Sequence, residues 1–364
     1  MYENQDENTI LARMLDKVPS DMDKREGSII YDASMPAAIG FMLLYATIDY
    51  FINNTFGDTA EREFLIRRAK ERGLTPYSAS FATVKGECTP ADISVSVGTR
   101  FSYDDVNYAI TENLGGGQYL LKCEIAGTIG NKPAGKLVPI DYVKGLETAR
   151  LIEITIPGEN EEETEDFRTR YLNSFNNQSY GGNIFDYKDK VNAIEGVGGV
   201  KVYPVWDGGG TVKIVFCTSE FKPPTSEFIE RVQTTIDPEQ NHGEGIGIAP
   251  IGHTVTVEGA QNANIKIDLN VTFDNGSFEN YQPQIEKVID DYFLELNSKW
   301  ESTQRVSVDV YENKGIIVRI SQIESRILDI EGVTDITGTK LNGLEENLQL
   351  GTDELAVRGE MTNG

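Results

Sequence analysis

Side chains able to do chemistry are scarce along this chain. It holds two histidines, His242 and His253, and three cysteines, Cys88, Cys123 and Cys217, none of them in a C-x-x-C pair. Such a set supplies neither a disulfide framework nor the clustered soft ligands of a zinc centre. Neither histidine has a Ser or Cys nucleophile pattern beside it, so both read as structural, one in a glycine-rich loop and one opening a strand. Cys217, at a strand end, reads as a buried thiol. Gly243-x-Gly245-x-Gly247 has some of the spacing of a nucleotide loop. Pro250 and a strand follow it, however, where a helix N-terminus would be needed to aim amides at phosphate. Residues 268–275 offer oxygens but lack the glycine and terminal glutamate of a calcium loop. The acidic run at 159–166 reads as a solvated helix start, where carboxylates complement the dipole. The enzymatic reading left is a pair of carboxylates hydrolysing a glycosidic bond. Nothing singles out such a pair, and only Trp206 and Trp300 exist to line a sugar cleft. The expectation is a chain without cofactor, metal or catalytic residues.

The elements that would have to position any site fall into four stretches. Residues 1–80 read as a helical assembly region, with polar helices near 7–16 and 58–72 around a segment, 36–51, that is apolar nearly all the way round. From 81 to 157 the period drops to two, and glycines punctuate strands near 80–87, 93–97, 107–111, 119–126 and 151–156. This predicts a small β domain, a sandwich or a curled sheet. The remainder carries an internal echo. A helix over 184–194 ends in Glu195-Gly196-Val197, then strand, glycine turn and strand; a helix over 316–330 ends in Glu331-Gly332-Val333, then the same order. The pattern predicts two α+β modules of ferredoxin-like type, 158–258 and 259–364, so the fold class is α+β and multidomain. In each copy the glycine ends the helix in a left-handed conformation so that the strand reverses onto it.

With 364 residues, 33 Lys and Arg against 58 Asp and Glu, and a formal net charge of −25, the chain is a poor match for nucleic acid or anionic lipid. Its N-terminus is acidic where a secretory signal would be basic. The apolar stretch 35–48 has 14 uncharged residues between Asp32 and Asp49. A membrane span needs about 20, so the stretch reads as a helix buried by protein. Too few apolar helices lie nearby to cover it. Ile39, Phe41, Leu44, Tyr45, Ile48 and Phe51 are therefore expected at a subunit interface.

Several short motifs, in order, resemble one family. They are Gly27-Ser28-Ile29-Ile30-Tyr31-Asp32 with Pro36-Ala37-Ala38; Leu74-Thr75-Pro76; Ala82-x-x-x-Gly86; Val97-Gly98-Thr99-Arg100-Phe101; and Gly127-Thr128-Ile129-Gly130-Asn131. Pro157-Gly158 then leads to Glu161-Glu162-Glu163-x-x-Asp166-x-Arg168-x-Arg170, and Gly181-Gly182-Asn183-x-x-Asp186-Tyr187 closes on Gly196-Val197 with Pro204 beyond. Over about residues 20–260 this series resembles the baseplate J family, wedge components of contractile phage tails and tail-like bacteriocins. The resemblance implies a non-enzymatic structural subunit in a six-fold ring around a central hub, rearranging on sheath contraction. It also implies partners among other wedge subunits, including a second copy of the chain, with hub and sheath proteins reached indirectly. Assembly in the bacterial cytoplasm and a final place in the virion or particle follow from it. A particle-associated carboxylate-dependent glycoside hydrolase and a carbohydrate-binding module are the alternative readings. Gly181, Gly182, Asn183, Gly196 and Gly332 are expected to be structural turn residues.

Overall fold

The computed structural model describes residues 4–175, 180–307 and 310–364. These divide into two compact units, one from the described residues of Met1–Tyr77 and Glu162–Asn177, the other from those of Ser78–Glu161 and Gln178–Gly364.

The first unit is helical. Helix α1 (Glu7–Asp16) starts at Asp6, whose carboxylate accepts the Thr9 amide at 2.7 Å. Helix α2 spans Ile29–Thr55, capped by Ser28, and is therefore two turns longer at its N-terminus than the 36–51 expected. Pro36 does not start it; the proline sits in its third turn, and the helix runs through it. At about 1.5 Å per residue it is roughly 40 Å long. Helix α3 (Arg62–Lys70) is tied to the end of α2 by Asn54, whose side chain accepts the Glu61 amide at 2.8 Å. Helix α4 (Thr164–Asn173) belongs to this unit and not to the module that follows it in sequence. Its Phe167 and Tyr171 complete a buried cluster with Ala60, Leu65 and Ala69. The acidic motif gives this docking its polar frame. Arg168 donates to the carbonyls of Gly57 and Ala60, and Arg170 pairs with Glu162 at 2.6 Å while stacking 4.0 Å over the Tyr77 ring.

The second unit opens with six strands, β1 (Phe81–Thr89), β2 (Arg100–Tyr103), β3 (Val106–Gly115), β4 (Gln118–Ala126), β5 (Gly135–Pro139) and β6 (Thr148–Ile156). They close into a barrel in the order β1-β4-β3-β2-β5-β6, with β6 back on β1. A sandwich or curled sheet was the expectation; closure depends on β2 and β5, both too short to show a clear period of two. Residues 93–97, which alternate like a strand, form a loop instead. Tyr119 holds it, donating to the Ile93 carbonyl at 2.7 Å and accepting the Val95 amide at 3.0 Å.

The α+β part begins with α5 (Ile184–Asn192), β7 (Val197–Pro204), β8 (Thr211–Thr218), α6 (Ser226–Ile236) and β9 (Thr254–Gly259), in a sheet ordered β7-β8-β9. Then follow β10 (Gln261–Phe273), α7 (Phe278–Ser298), the short strands β11 (Gln304–Val306), β12 (Tyr311–Asn313) and β13 (Ile317–Val318), α8 (Ile320–Leu328), β14 (Val333–Leu341), β15 (Leu348–Gln349) and β16 (Glu354–Asn363). Among the described residues both main sheets are three-stranded, short of the four strands of a full ferredoxin-like unit, although the α+β class stands. The internal echo is local. β7 turns back on β8, whereas β14 pairs antiparallel with β10, and β16 runs parallel to β10 on its other edge. β16 was not foreseen, because its polar second half breaks the hydrophobic alternation. Both glycines are left-handed: Gly196 has φ +89° and Gly332 +92°.

The two α+β sheets meet over Lys201, a fully buried lysine on β7. Its ammonium donates to the carbonyls of Thr352 at 2.5 Å and Lys314 at 3.2 Å and lies 4.5 Å from the Trp300 ring centre. The Trp300 indole donates to the same Thr352 carbonyl at 3.1 Å. One residue on, the Gln304 amide group pairs with both backbone groups of Val202, at 3.1 and 2.9 Å, and so satisfies the open edge of β7 as a neighbouring strand would.

Two outcomes follow. Burial pulls the Lys201 pKa down to about 8 from the ordinary 10.5, against the raising influence of Asp353 and Glu301, with Lys188 adding to the fall. The unfolded chain keeps this proton to a higher pH than the folded one, so folding should gain stability as pH rises from about 8 to 10, by at most ~3 kcal/mol. Denaturant unfolding of wild type and Lys201→Met across that range should show the difference between them moving in favour of wild type; a flat difference would contradict a buried charge. Separately, Gly196→Val and Gly332→Val should each cost about 1–2 kcal/mol or more, from positive φ alone. At Gly196 a Cβ would also lie 2.7 Å from Ile156 Cγ2. Wild-type stability in both would overturn the helix-to-strand role of these glycines.

Candidate assembly surface

Helix α2 has one covered face. Ala38 is buried against Ile10 and Leu11 of α1, flanked by Tyr31, Met35, Met42 and Tyr45. These positions recur every three to four residues and define one stripe. The rest of the helix is open. Ile39 is 42% exposed, Phe41 48%, Leu43 58%, Leu44 54% and Phe51 59%. Four of the six residues expected at an interface, Ile39, Phe41, Leu44 and Phe51, thus lie on free surface, while Ile48 is half-buried. Tyr45 does not join them, because its side chain turns to the α1 cluster. Leu43 and Tyr50 are exposed as well, and at 100° per residue Tyr50 projects between Ile39 and Leu43. The signal was present in the sequence, since an all-round apolar helix with one small partner must expose whatever that partner does not reach. The helix was read as buried; within this chain most of it is uncovered. By length and composition alone it could also cross a membrane.

The turn residues divide in a similar way. Asn183 caps α5, accepting the Asp186 amide at 2.8 Å, and Asp186 reaches back to the Gly182 amide at 2.9 Å. Gly182 has φ +89°, and a Cβ there would meet Pro250 and His253. Gly181 lies in the same turn with open space around it and no positive φ, so neither backbone nor packing demands glycine there. Tyr187 next to this cap shares a 2.8 Å hydrogen bond with His253 Nδ1. His242 pairs with the buried Asp237 carboxylate at 2.7 Å, and that carboxylate also accepts the amides of Gly243 and Val255. The glycine-rich loop is therefore a pinned connection. Cys88, Cys123 and Cys217 are all buried, and burial pushes the Cys217 thiol up to about 12.

A pocket of about 380 Å³ beside the barrel holds two carboxylates, Glu159 and Glu220. Glu220 pairs with Lys222 at 2.9 Å. Glu159 is raised above the ordinary range by burial, with the Ser219 hydroxyl and the Gly196 amide opposing. Among the described residues no three His, Cys, Asp or Glu side chains converge on a point. Among the described residues of the first unit, the extensive unsatisfied feature is the apolar face of α2.

Comparison with known proteins gives a consistent result. The model of the Baseplate J-like central domain matches residues 179–259, and that of the Baseplate J-like protein C-terminal domain matches residues 265–364. The resemblance therefore continues past residue 260 to the end of the chain. Uncharacterized protein YqbT of Bacillus subtilis (strain 168) is 35% identical across 99% of this chain and 98% of its own length. Phage-like element PBSX protein XkdT of the same organism is 34% identical over the same shares. A chain from the six-fold symmetrised cryo-EM structure of the anti-feeding prophage baseplate covers 99% of this chain and 100% of its own, at 10% identity and a TM-score of 0.43.

Proposed function

Because the chain belongs to the baseplate J-like family and is a component of the baseplate of a phage tail or tail-like particle, we propose that it is a non-enzymatic wedge subunit that assembles through the free face of α2. The observation that carries this reading is the row Ile39, Phe41, Leu43, Leu44 and Phe51. Each is about half exposed, so burying the remainder contributes on the order of 1 kcal/mol apiece, a sum that solvent exposure forfeits. Exposed apolar surface on this scale marks a protein–protein interface.

Protein rather than lipid covers the face in this proposal. Asp32 and Asp49 bracket a run of uncharged residues below the roughly 20 that a bilayer core requires, and α1 lies along one side of it. The occupant is another baseplate protein, with a second copy of this chain the natural candidate in a repeating wedge. Six wedges closing into a ring around the hub, reaching the sheath indirectly and rearranging when it contracts, complete the proposal, together with assembly in the bacterial cytoplasm before the particle is finished. The helical N-terminal region would carry assembly, the barrel and the two α+β modules the ring's body. The absence of catalysis is supported by carboxylates and histidines that are already engaged in pairs and caps.

Leu44→Asp with Phe51→Asp should leave the far-ultraviolet circular dichroism of the purified chain unchanged, since neither side chain is buried in it. The same pair should weaken association by roughly a hundredfold or more and abolish particles in cells. Wild-type particle yield from the double variant would refute the interface.

A further inference from the structure

The second unit carries a groove whose charge is inverted relative to the rest of the molecule. Acids outnumber bases 58 to 33 along the chain, yet a groove of about 340 Å³ beside α7, β11 and β12 is lined by Lys299, Arg305, Lys314 and Arg319 against one acid, Glu312. Two of these cations are engaged, Lys299 with Glu295 at 2.7 Å and Lys314 with Glu312 at 2.5 Å. Arg305 and Arg319 have no carboxylate within ion-pair distance among the described residues and are exposed.

The groove is built on fixed backbone. The Lys314 carbonyl is held by the buried Lys201 ammonium and lies 2.7 Å from the Thr303 hydroxyl. Gly315 is pressed so closely on the Leu350 and Gly351 carbonyls that no side chain fits there. Guanidinium groups on a rigid frame suit carboxylates, which they take up in two-point hydrogen bonds.

We propose that this groove is a docking site for a carboxylate-rich segment of a partner protein. Charge complementarity selects that occupant. The lining offers no aromatic ring on which a base would stack, only Leu296, Ile316 and Ile317 as apolar members, and its four cations make too short a track for a phosphate backbone. An acidic peptide needs neither a long basic track nor stacking, and the local field steers it to this basic groove.

The test uses the purified full chain with hexaglutamate as probe, followed by calorimetry or by backbone amide shifts. Hexaglutamate should bind at low salt, weaken as salt is raised, and shift amides of residues 299–319. Arg305→Glu with Arg319→Glu should weaken binding by about tenfold or more. The milder Arg305→Gln with Arg319→Gln should weaken it less, and Lys136→Glu with Lys144→Glu, remote in sequence and absent from the groove lining, should leave it unchanged. Circular dichroism of each variant confirms that it is folded. No binding to the wild-type chain, or equal loss in the remote variant, would overturn the proposal. Tighter binding of an oligothymidylate at the same amides would overturn it in favour of nucleic acid, and equal competition by inorganic phosphate would reduce it to an unspecific anion site.

Discussion

A 27-residue apolar helix cannot be solvated cheaply, and among the described residues one short helix lies along it. That imbalance organises the first unit. Helix α1 covers the stripe through Ala38, where a small side chain lets the two backbones approach, and α3 is fastened to the far end through Asn54 and the Tyr50–Phe64 ring contact. Nothing else among the described residues covers the remaining surface. Association is the way to bury it that the proposed interface rests on.

The second unit solves the opposite problem. Its three sub-structures each have their own core, and polar devices join them. Ile156 at the end of the barrel belongs to the core of the first α+β sheet, while Lys85 pairs with Glu227 of α6 at 3.0 Å. The second sheet's core takes in Val215 and Cys217 from the first. Lys201, Trp300, Gln304 and Tyr203 with Asp353 then fix the sheets to each other by groups that are costly to leave unpaired. A buried lysine is a poor source of net stability, and here its ammonium is held by two carbonyls and the Trp300 ring.

Much of this was legible in the sequence. Regular helices with clear caps, such as α1, α6 and α7, stand out by period, and Gly196 and Gly332 were placed by the need for a left-handed residue between helix and strand. Other features were hidden because tertiary contacts decide them. Barrel closure rests on β2 and β5, whose four and five residues carry no periodicity to detect. The loop at 93–97 alternates like a strand but is claimed by the Tyr119 hydroxyl. Helix α4 follows its linker in sequence and returns to α3 because Phe167 and Tyr171 fit there. The exposed apolar residues of α2 were legible as a set because an all-round apolar helix announces a deficit of cover; which of them face α1 depends on the crossing of two helices, which no local pattern encodes, and so the turn of Tyr45 toward α1 was not legible. The basic groove was invisible, since its four cations are spread over 21 positions in which no charge run appears.

The central claim is that the free face of α2 is covered in the assembled baseplate. Its most direct measurement is maleimide labelling of Leu44→Cys, in a chain whose own three cysteines are buried, before and after assembly into particles. The account predicts rapid labelling of the free chain and strong protection in the particle, with an exposed control cysteine at Tyr142 labelled equally in the free chain and the unfolded one. Equal labelling of Leu44→Cys in free chain and particle would contradict it.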